Sequence, residues 1–198
     1  LSAWYLTNDP RPCLVVMCGL MGSGKSFTAQ KLAERTGFQI LRSDVIRKQM
    51  LGMETSQHRF DDYAKGIYSE DVTNRTYYQM FDMASKYLKQ GVSVILDASF
   101  IRFEHRNLAF ETASESGSRF SLVQVCAPDE VIRQRLDERV RSSNDPSDGR
   151  WDLFQDQKTH FDEIKASELE NFFSLDGSNH SESEIGRLVR RLLFSRNP

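Results

Sequence analysis

The residues best suited to chemistry in this sequence are a lysine and a hydroxyl reached through a glycine-dense loop. In the stretch CLVVMCGLMGSGKS, from Cys13 to Ser26, Gly19, Gly24, Lys25 and Ser26 satisfy the pattern G-x-x-x-x-G-K-[ST]. Glycines at 19, 22 and 24 let the backbone wrap an anion with successive N–H groups turned inward. A helix beginning near Lys25 would aim its positive dipole end at the same point. Lys25 is then placed to reach the β- and γ-phosphates of a nucleoside triphosphate, and the Ser26 hydroxyl to ligate Mg²⁺. Nucleotide contacts are expected from Gly19, Leu20, Met21, Gly22, Ser23, Gly24, Lys25, Ser26 and Phe27. A glycine-rich turn with an exposed lysine would leave the fixed spacing unexplained. Such a loop implies a triphosphate, and it does not separate a kinase from a switch or a motor.

Two aspartates follow apolar runs. VSVILDASF places Asp97 at the end of a strand that is otherwise almost wholly apolar. In open α/β sheets that carboxyl edge is where ligands bind, so Asp97 can share a magnesium shell with Ser26. The alternative is an N-cap for the segment that follows. ILRSDVIRKQM places Asp44 just beyond another strand, with Arg47 three residues later on the same face of a short helix. A carboxylate there can accept the proton of an acceptor hydroxyl while the arginine holds an anionic group. Capping by Ser43 or Asp44, with a surface ion pair, is the other reading of the same spacing.

Arginines form a third group. EVIRQRLDERVR carries Arg133, Arg135, Arg139 and Arg141, and Arg135 and Arg139 are four apart on one face. Closing over a triphosphate, they would stabilise the charge that phosphoryl transfer spreads over the equatorial oxygens. Paired with Asp137 and Glu138 they would be a solvated face. Arg102 and Arg106, also four apart, either hold an anionic acceptor or brace a helix after Asp97. His58, His105, His160 and His180 show no ligand spacing, which argues against a zinc site.

These groups need a frame. Strands are expected at Leu14–Cys18, Phe38–Leu41, Val92–Leu96, Phe120–Cys126 and Asn171–Leu175, alternating with helices at Lys25–Arg35, Ser69–Gln90, Glu130–Arg141 and Glu182–Phe194. The alternation points to an α/β fold with a mainly parallel sheet, and the near-continuous apolar strands to helices on both faces. Gly37 is expected as a left-handed helix cap. Gly52–Gly66 and Ser142–Arg150 break the rhythm, the first as an acceptor-contacting segment and the second as a mobile flap.

The whole chain fits these expectations. Its 198 residues suit one domain, with residues 1–12 leading in. A net charge of -2 supplies no basic field for nucleic acid or anionic membrane. Three cysteines, Cys13, Cys18 and Cys126, lie in apolar runs and read as reduced core thiols of a cytoplasmic protein. No run approaches the roughly 18 apolar residues that span a bilayer. The opening LSAWYLTNDPRP lacks the pattern of a signal peptide, and a start at Leu1 fits an excised part of a longer chain.

Four segments in order, GLMGSGKS, LRSDVIRKQM, GVSVILDASFIRFEHR and NDPSDGRWDLFQDQ, resemble the P-loop kinase family of predicted small kinases, AAA-33. Its members often lie C-terminal to an aminoglycoside-phosphotransferase-like domain and are related to polynucleotide 5′-hydroxyl kinases and zeta toxins. The resemblance runs from Arg11 to Phe161. It implies a P-loop NTPase three-layer sandwich, with a five-stranded mainly parallel sheet, helices on both faces and a helical lid. Asp44 takes the family's general-base position and Arg47 that of the arginine supporting the transferred phosphate. The flap pattern D-x-S-D-A appears as Asp145, Pro146, Ser147, Asp148 and Gly149, with glycine for alanine, and Gln157 matches a following glutamine.

Together these readings imply an ATP- and Mg²⁺-dependent kinase acting on a hydroxyl-bearing small molecule. Lys25, Asp44, Arg135 and Arg139 would be catalytic, Asp44, Arg47, Arg102 and Arg106 would hold the acceptor, and Ser26 and Asp97 the metal. A polynucleotide 5′-hydroxyl kinase and an ATP-binding regulatory module serving a fused or neighbouring domain are the alternatives. Near-neutral charge favours the small acceptor.

Overall fold

Six consecutive apolar residues, Cys13–Cys18, form β1 at the centre of a sheet covered on both sides. Alternate residues divide between two cores: Leu14, Val16 and Cys18 face one, Cys13, Val15 and Met17 the other. A strand buried on both faces has no polar side to show, which is why the sequence runs apolar without alternation. The computed structural model describes residues 9–54, 66–142, 151–179 and 181–194, without the side chains of 139–142 and 152.

The strands are β1, β2 (Gln39–Arg42), β3 (Val94–Asp97), β4 (Arg119–Cys126) and β5 (Phe172–Asp176). They pair in the order β2-β3-β1-β4-β5, every pairing parallel. All five fall within two residues of their expected places. Helices α1 (Lys25–Thr36) and α7 (Glu182–Phe194) cover one face through Ala29, Leu32, Ile185, Leu188 and Leu192. The other face takes Ile46 of α2 (Ser43–Met50), Tyr77, Met80, Phe81, Ala84 and Leu88 of α3 (Glu70–Lys89), and Ala109 and Ala113 of α4 (Phe103–Glu115). Gly37 ends α1 at φ 75° and donates its N–H to the Ala33 carbonyl, the left-handed cap the sequence suggests.

Helices α5 (Asp129–Ser142) and α6 (Trp151–Thr159) form a third, smaller core, Ile132, Leu136 and Phe154, set over the loop between β1 and α1. The expected flap, Ser142–Arg150, lies outside the described residues but for Ser142, which ends α5, as does most of the Gly52–Gly66 segment. Cys13 and Cys18 are fully buried, and burial pushes the Cys18 thiol up to about 12. Cys126 departs from the core-thiol expectation: it ends β4 at the sheet edge and is exposed.

Arg106 is a fully buried charge, and its position corrects the acceptor-binding reading. The side chain is 1% exposed and all five N–H donors have acceptors. Nε donates to Glu168 Oε1 at 2.6 Å, and Nη1 to the carbonyls of Phe100 and Ile101. Nη2 donates to the carbonyls of Asp162 and Glu163 and to Glu168 Oε2. With no donor left for a ligand, Arg106 braces α4 and ties the chain leaving α6 to the loop leaving β3. Asp162 completes the tie, accepting the first N–H of α4, from Phe103, at 2.8 Å. Arg106→Ala would strand the Glu168 carboxylate and four carbonyls, so it should lower unfolding free energy by about 3–5 kcal/mol. Urea denaturation measures this, and a loss under about 1 kcal/mol would mean water replaces the network freely.

Candidate active site

The loop from Gly19 to Ser26 leaves the carboxyl end of β1 and enters α1, so its N–H groups crowd where the sheet edge meets a helix start. Its own carbonyl, that of Leu20, accepts the Lys25 ammonium at 2.7 Å and the Ser23 N–H at 3.2 Å. Gly19 donates to the Ser99 carbonyl at 2.9 Å, anchoring the loop to the segment after β3. Gly22, at φ 74°, adopts a left-handed conformation costly to other residues, and a Cβ there would meet Ile132 at 3.0 Å. Gly177, after β5, sits so tightly against the Ser23 carbonyl that a side chain would collide with it. The Ser23 hydroxyl is sealed inside the loop without a hydrogen-bond partner. Phe27 projects from the first turn of α1, 47% exposed, with the Lys31 ammonium 5.8 Å from its ring.

The lid elements reach the loop directly. Arg135 of α5 donates to the Gly22 carbonyl at 3.3 Å and to the Gly177 carbonyl at 2.7 Å. Gln157 of α6, buried, accepts the Met21 N–H at 2.7 Å. Leu20 and Met21 pack against the small core of Ile132, Leu136 and Phe154. Arg135 therefore stands at the loop. Arg139 lies in α5, with its side chain outside the described residues.

At the sheet edge two aspartates each pair with an arginine. The parallel register places Arg42 opposite Asp97, and Arg42 Nε lies 3.1 Å from Asp97 Oδ2. Asp97 also hydrogen-bonds the Ser26 hydroxyl. Burial pushes its carboxyl above the usual range, against the opposing pull of Arg42, Ser26 and Lys25. The nearby Asp44 charge pushes in the same direction as burial. Asp44 is partly open, its side chain 24% exposed, and its Oδ1 accepts Arg47 Nη1 at 2.9 Å. Arg47 is buried with its guanidinium over the Tyr68 ring, 4.7 Å from the centroid. Arg102 stays at the surface, 3.7 Å from Asp162, in extended backbone before α4 rather than on a helix face shared with Arg106.

Lys25, Ser26, Asp97 and Asp44 thus meet at one edge, with Arg47 beside Asp44 and Arg135 across the loop. Arg42 was not singled out by sequence reasoning, because its role depends on strand register. Tyr77 was visible only as a core residue of α3. Its hydroxyl accepts the Phe100 N–H at 3.1 Å and holds Phe100 at φ 44°, a strained conformation for a bulky side chain. The turn thereby fixed is the one whose Ser99 carbonyl anchors Gly19.

A divalent cation suits the Ser26–Asp97 pair: the hydroxyl and carboxylate are hard oxygen donors, and a buried carboxylate gains from added positive charge. Its linkage to stability has a definite sign. An acid whose folded pKa lies above its unfolded value, 3.8, stabilises fully below 3.8 and loses that contribution as pH rises through the folded value. Asp97→Asn cannot ionise. Its stability relative to the parent, measured by urea unfolding, should rise as pH climbs from 3.8 towards neutrality. A flat or shrinking difference would make ionised Asp97 a net stabilising group.

Known proteins share this arrangement of chain. Shikimate kinase 2 of Oryza sativa subsp. japonica is 27% identical over 119 residues, 50% of this chain and 38% of that protein. The chain thus spans well under half the length of that relative. UPF0200 protein OE_4442F of Halobacterium salinarum is 30% identical over 140 residues, 68% of this chain and 70% of that protein. Among solved structures, Kti12 of Chaetomium thermophilum in complex with ADP-AlF3 superposes with a TM-score of 0.70 at 15% identity, covering 92% of this chain and 100% of that one. The AAA_33 family model, described as an AAA domain, matches residues 14–164. That span holds the phosphate loop, both aspartates and both lid helices, and the chain belongs to this family of P-loop NTPase fold.

Proposed function

We propose that the chain is a cytoplasmic ATP- and Mg²⁺-dependent kinase that transfers the γ-phosphoryl group to a hydroxyl of a small-molecule acceptor. The observation that carries this reading is Asp44: a partly open carboxylate at the edge shared by Lys25, Ser26 and Asp97. A nucleotide switch needs the loop and a moving segment, and has no use for a second, accessible acid. The similarity to shikimate kinase 2 points the same way.

Each residue has a role in the transfer. Lys25 leaves the Leu20 carbonyl and follows the β- and γ-phosphates, its charge offsetting theirs. Ser26 and Asp97 would hold Mg²⁺, which when bound offsets charge on the phosphate oxygens. Asp44 Oδ1 is oriented by Arg47, and no hydrogen bond to Oδ2 occurs among the described residues, so Oδ2 can receive the acceptor proton. The acceptor oxygen then bonds to the γ-phosphorus, the bond to the bridging oxygen breaks, and ADP leaves with its electron pair. Arg135 is one side chain from the loop and can follow the charge as it spreads, joined in this reading by Arg139. Phe27 and the loop residues Gly19–Ser26 would line the nucleotide, and Arg102 would face an anionic part of the acceptor.

A screen of ATP consumption against hydroxyl-bearing metabolites and oligonucleotides identifies the acceptor. Lys25→Ala should weaken binding of a non-hydrolysable ATP analogue with Mg²⁺ by at least about tenfold in calorimetry. An affinity within about twofold of the parent would overturn the loop's role. Asp44→Asn should keep nucleotide affinity while turnover falls at least about a hundredfold. Unimpaired turnover would remove Asp44 as base and favour a regulatory module.

A further inference from the structure

The peptide unit between Leu20 and Met21 is gripped at both ends by side chains from different parts of the chain. Its carbonyl, on Leu20, accepts the Lys25 ammonium at 2.7 Å, and its N–H, on Met21, donates to Gln157 Oε1 at 2.7 Å. A trans peptide is planar, so its carbonyl and N–H point in opposite directions and turn together. Whatever holds the N–H therefore decides where the carbonyl points. A backbone N–H can meet only the oxygen of a glutamine amide, which settles how the Gln157 side chain is turned. Among the described residues the Met21 N–H has no other acceptor. Gln157 is 8% exposed, so water is poorly placed to replace it.

The hold comes from the anchored end of the lid. Gln157 lies near the end of α6, and Arg106 fastens the chain just beyond it through the Asp162 and Glu163 carbonyls. The side chains of Leu20 and Met21 pack on the small core of α5 and α6, so the peptide rests against the lid as a whole. Arg135 takes the neighbouring Gly22 carbonyl and leaves this peptide to Gln157.

We propose that Gln157 is a positioning residue for the phosphate clamp: by holding the Met21 N–H it turns the Leu20 carbonyl toward Lys25 and keeps the ammonium drawn into the loop that receives the nucleotide. The proposal rests on the nucleotide reading of Lys25 given above. Hydrogen bonds in such a chain polarise one another, from the Gln157 amide through the peptide to the cation. Without the Gln157 oxygen the peptide would turn its N–H toward water, and Lys25 would lose the carbonyl that orients it. The phosphates would then meet a side chain whose ordering is still to be done, and ordering costs affinity.

A glutamine that only satisfied a buried donor would behave differently, and a double-mutant cycle separates the two. Gln157→Met keeps the length of the side chain and removes the acceptor oxygen. Binding of a non-hydrolysable ATP analogue with Mg²⁺, read by competition with a fluorescent nucleotide, should weaken at least about fivefold in this variant. Adenosine has no phosphate for Lys25 to meet and should keep its parent affinity within about twofold. In a Lys25→Ala background, Gln157→Met should cost less than about twofold, because the group it positions is gone. An equal loss in both backgrounds, an equal loss for adenosine, or an unchanged affinity in Gln157→Met overturns the inference. The contact itself is tested in the nucleotide-free parent, whatever the fate of the variants. There the Met21 amide should exchange at least about a hundredfold more slowly than an unprotected amide, and free exchange also overturns the inference. Failure of the nucleotide reading looks different: Lys25→Ala alone would then bind the analogue as the parent does.

Discussion

A loop shaped for phosphate must bury its own N–H groups whether or not phosphate is there, and much of this structure answers that constraint. Gly19 donates to Ser99, Met21 to Gln157, and Ser23 to Leu20, so three loop amides have protein acceptors. Lys25 folds back on the same Leu20 carbonyl. Each acceptor comes from a different layer: the turn after β3, the lid helix α6, and the loop itself. Removing any one exposes a buried donor, at a cost comparable to a lost hydrogen bond. The loop's geometry is therefore a property of the whole edge of the sheet.

That dependence explains why distant residues converge on the loop. Ser99 can face Gly19 only while Phe100 is held at a positive φ, and Phe100 is held from both sides. Tyr77 accepts its N–H, and Arg106 donates to its carbonyl. Arg106 in turn grips Asp162, Glu163 and Glu168, the stretch that follows α6. The turn that supports the loop and the root of the lid are fastened by one guanidinium.

The sequence made the frame legible because the frame is repetitive. Apolar runs bounded by glycine and polar residues gave the five strands to within two residues, and the loop's glycine spacing specifies its own chemistry. Asp97 and Asp44 could be found because each follows a strand directly. What depends on register or on long-range packing was not legible. Nothing near Arg42 says that it faces Asp97 until β2 and β3 are aligned. Arg106 and Arg102 share a spacing of four, yet one is sealed in the core and the other sits before the helix begins, at the surface. Cys126 lies in an apolar run like the other two cysteines and ends β4 as Cys18 ends β1, yet it is exposed where Cys18, on the central strand, is fully buried.

The two aspartate–arginine pairs at the edge show how burial divides one chemistry into two. Arg42 approaches an Asp97 that is 4% exposed and already bound to Ser26, so that carboxylate has little freedom and gains most from another cation. Arg47 approaches an Asp44 that is 24% exposed, and takes only one of its oxygens. The first pair suits a fixed electrostatic role and the second suits exchange with a ligand. In Arg47 the asymmetry goes one step further, since one planar group orients the Asp44 carboxylate through Nη1 while its Nε is buried without a hydrogen-bond partner.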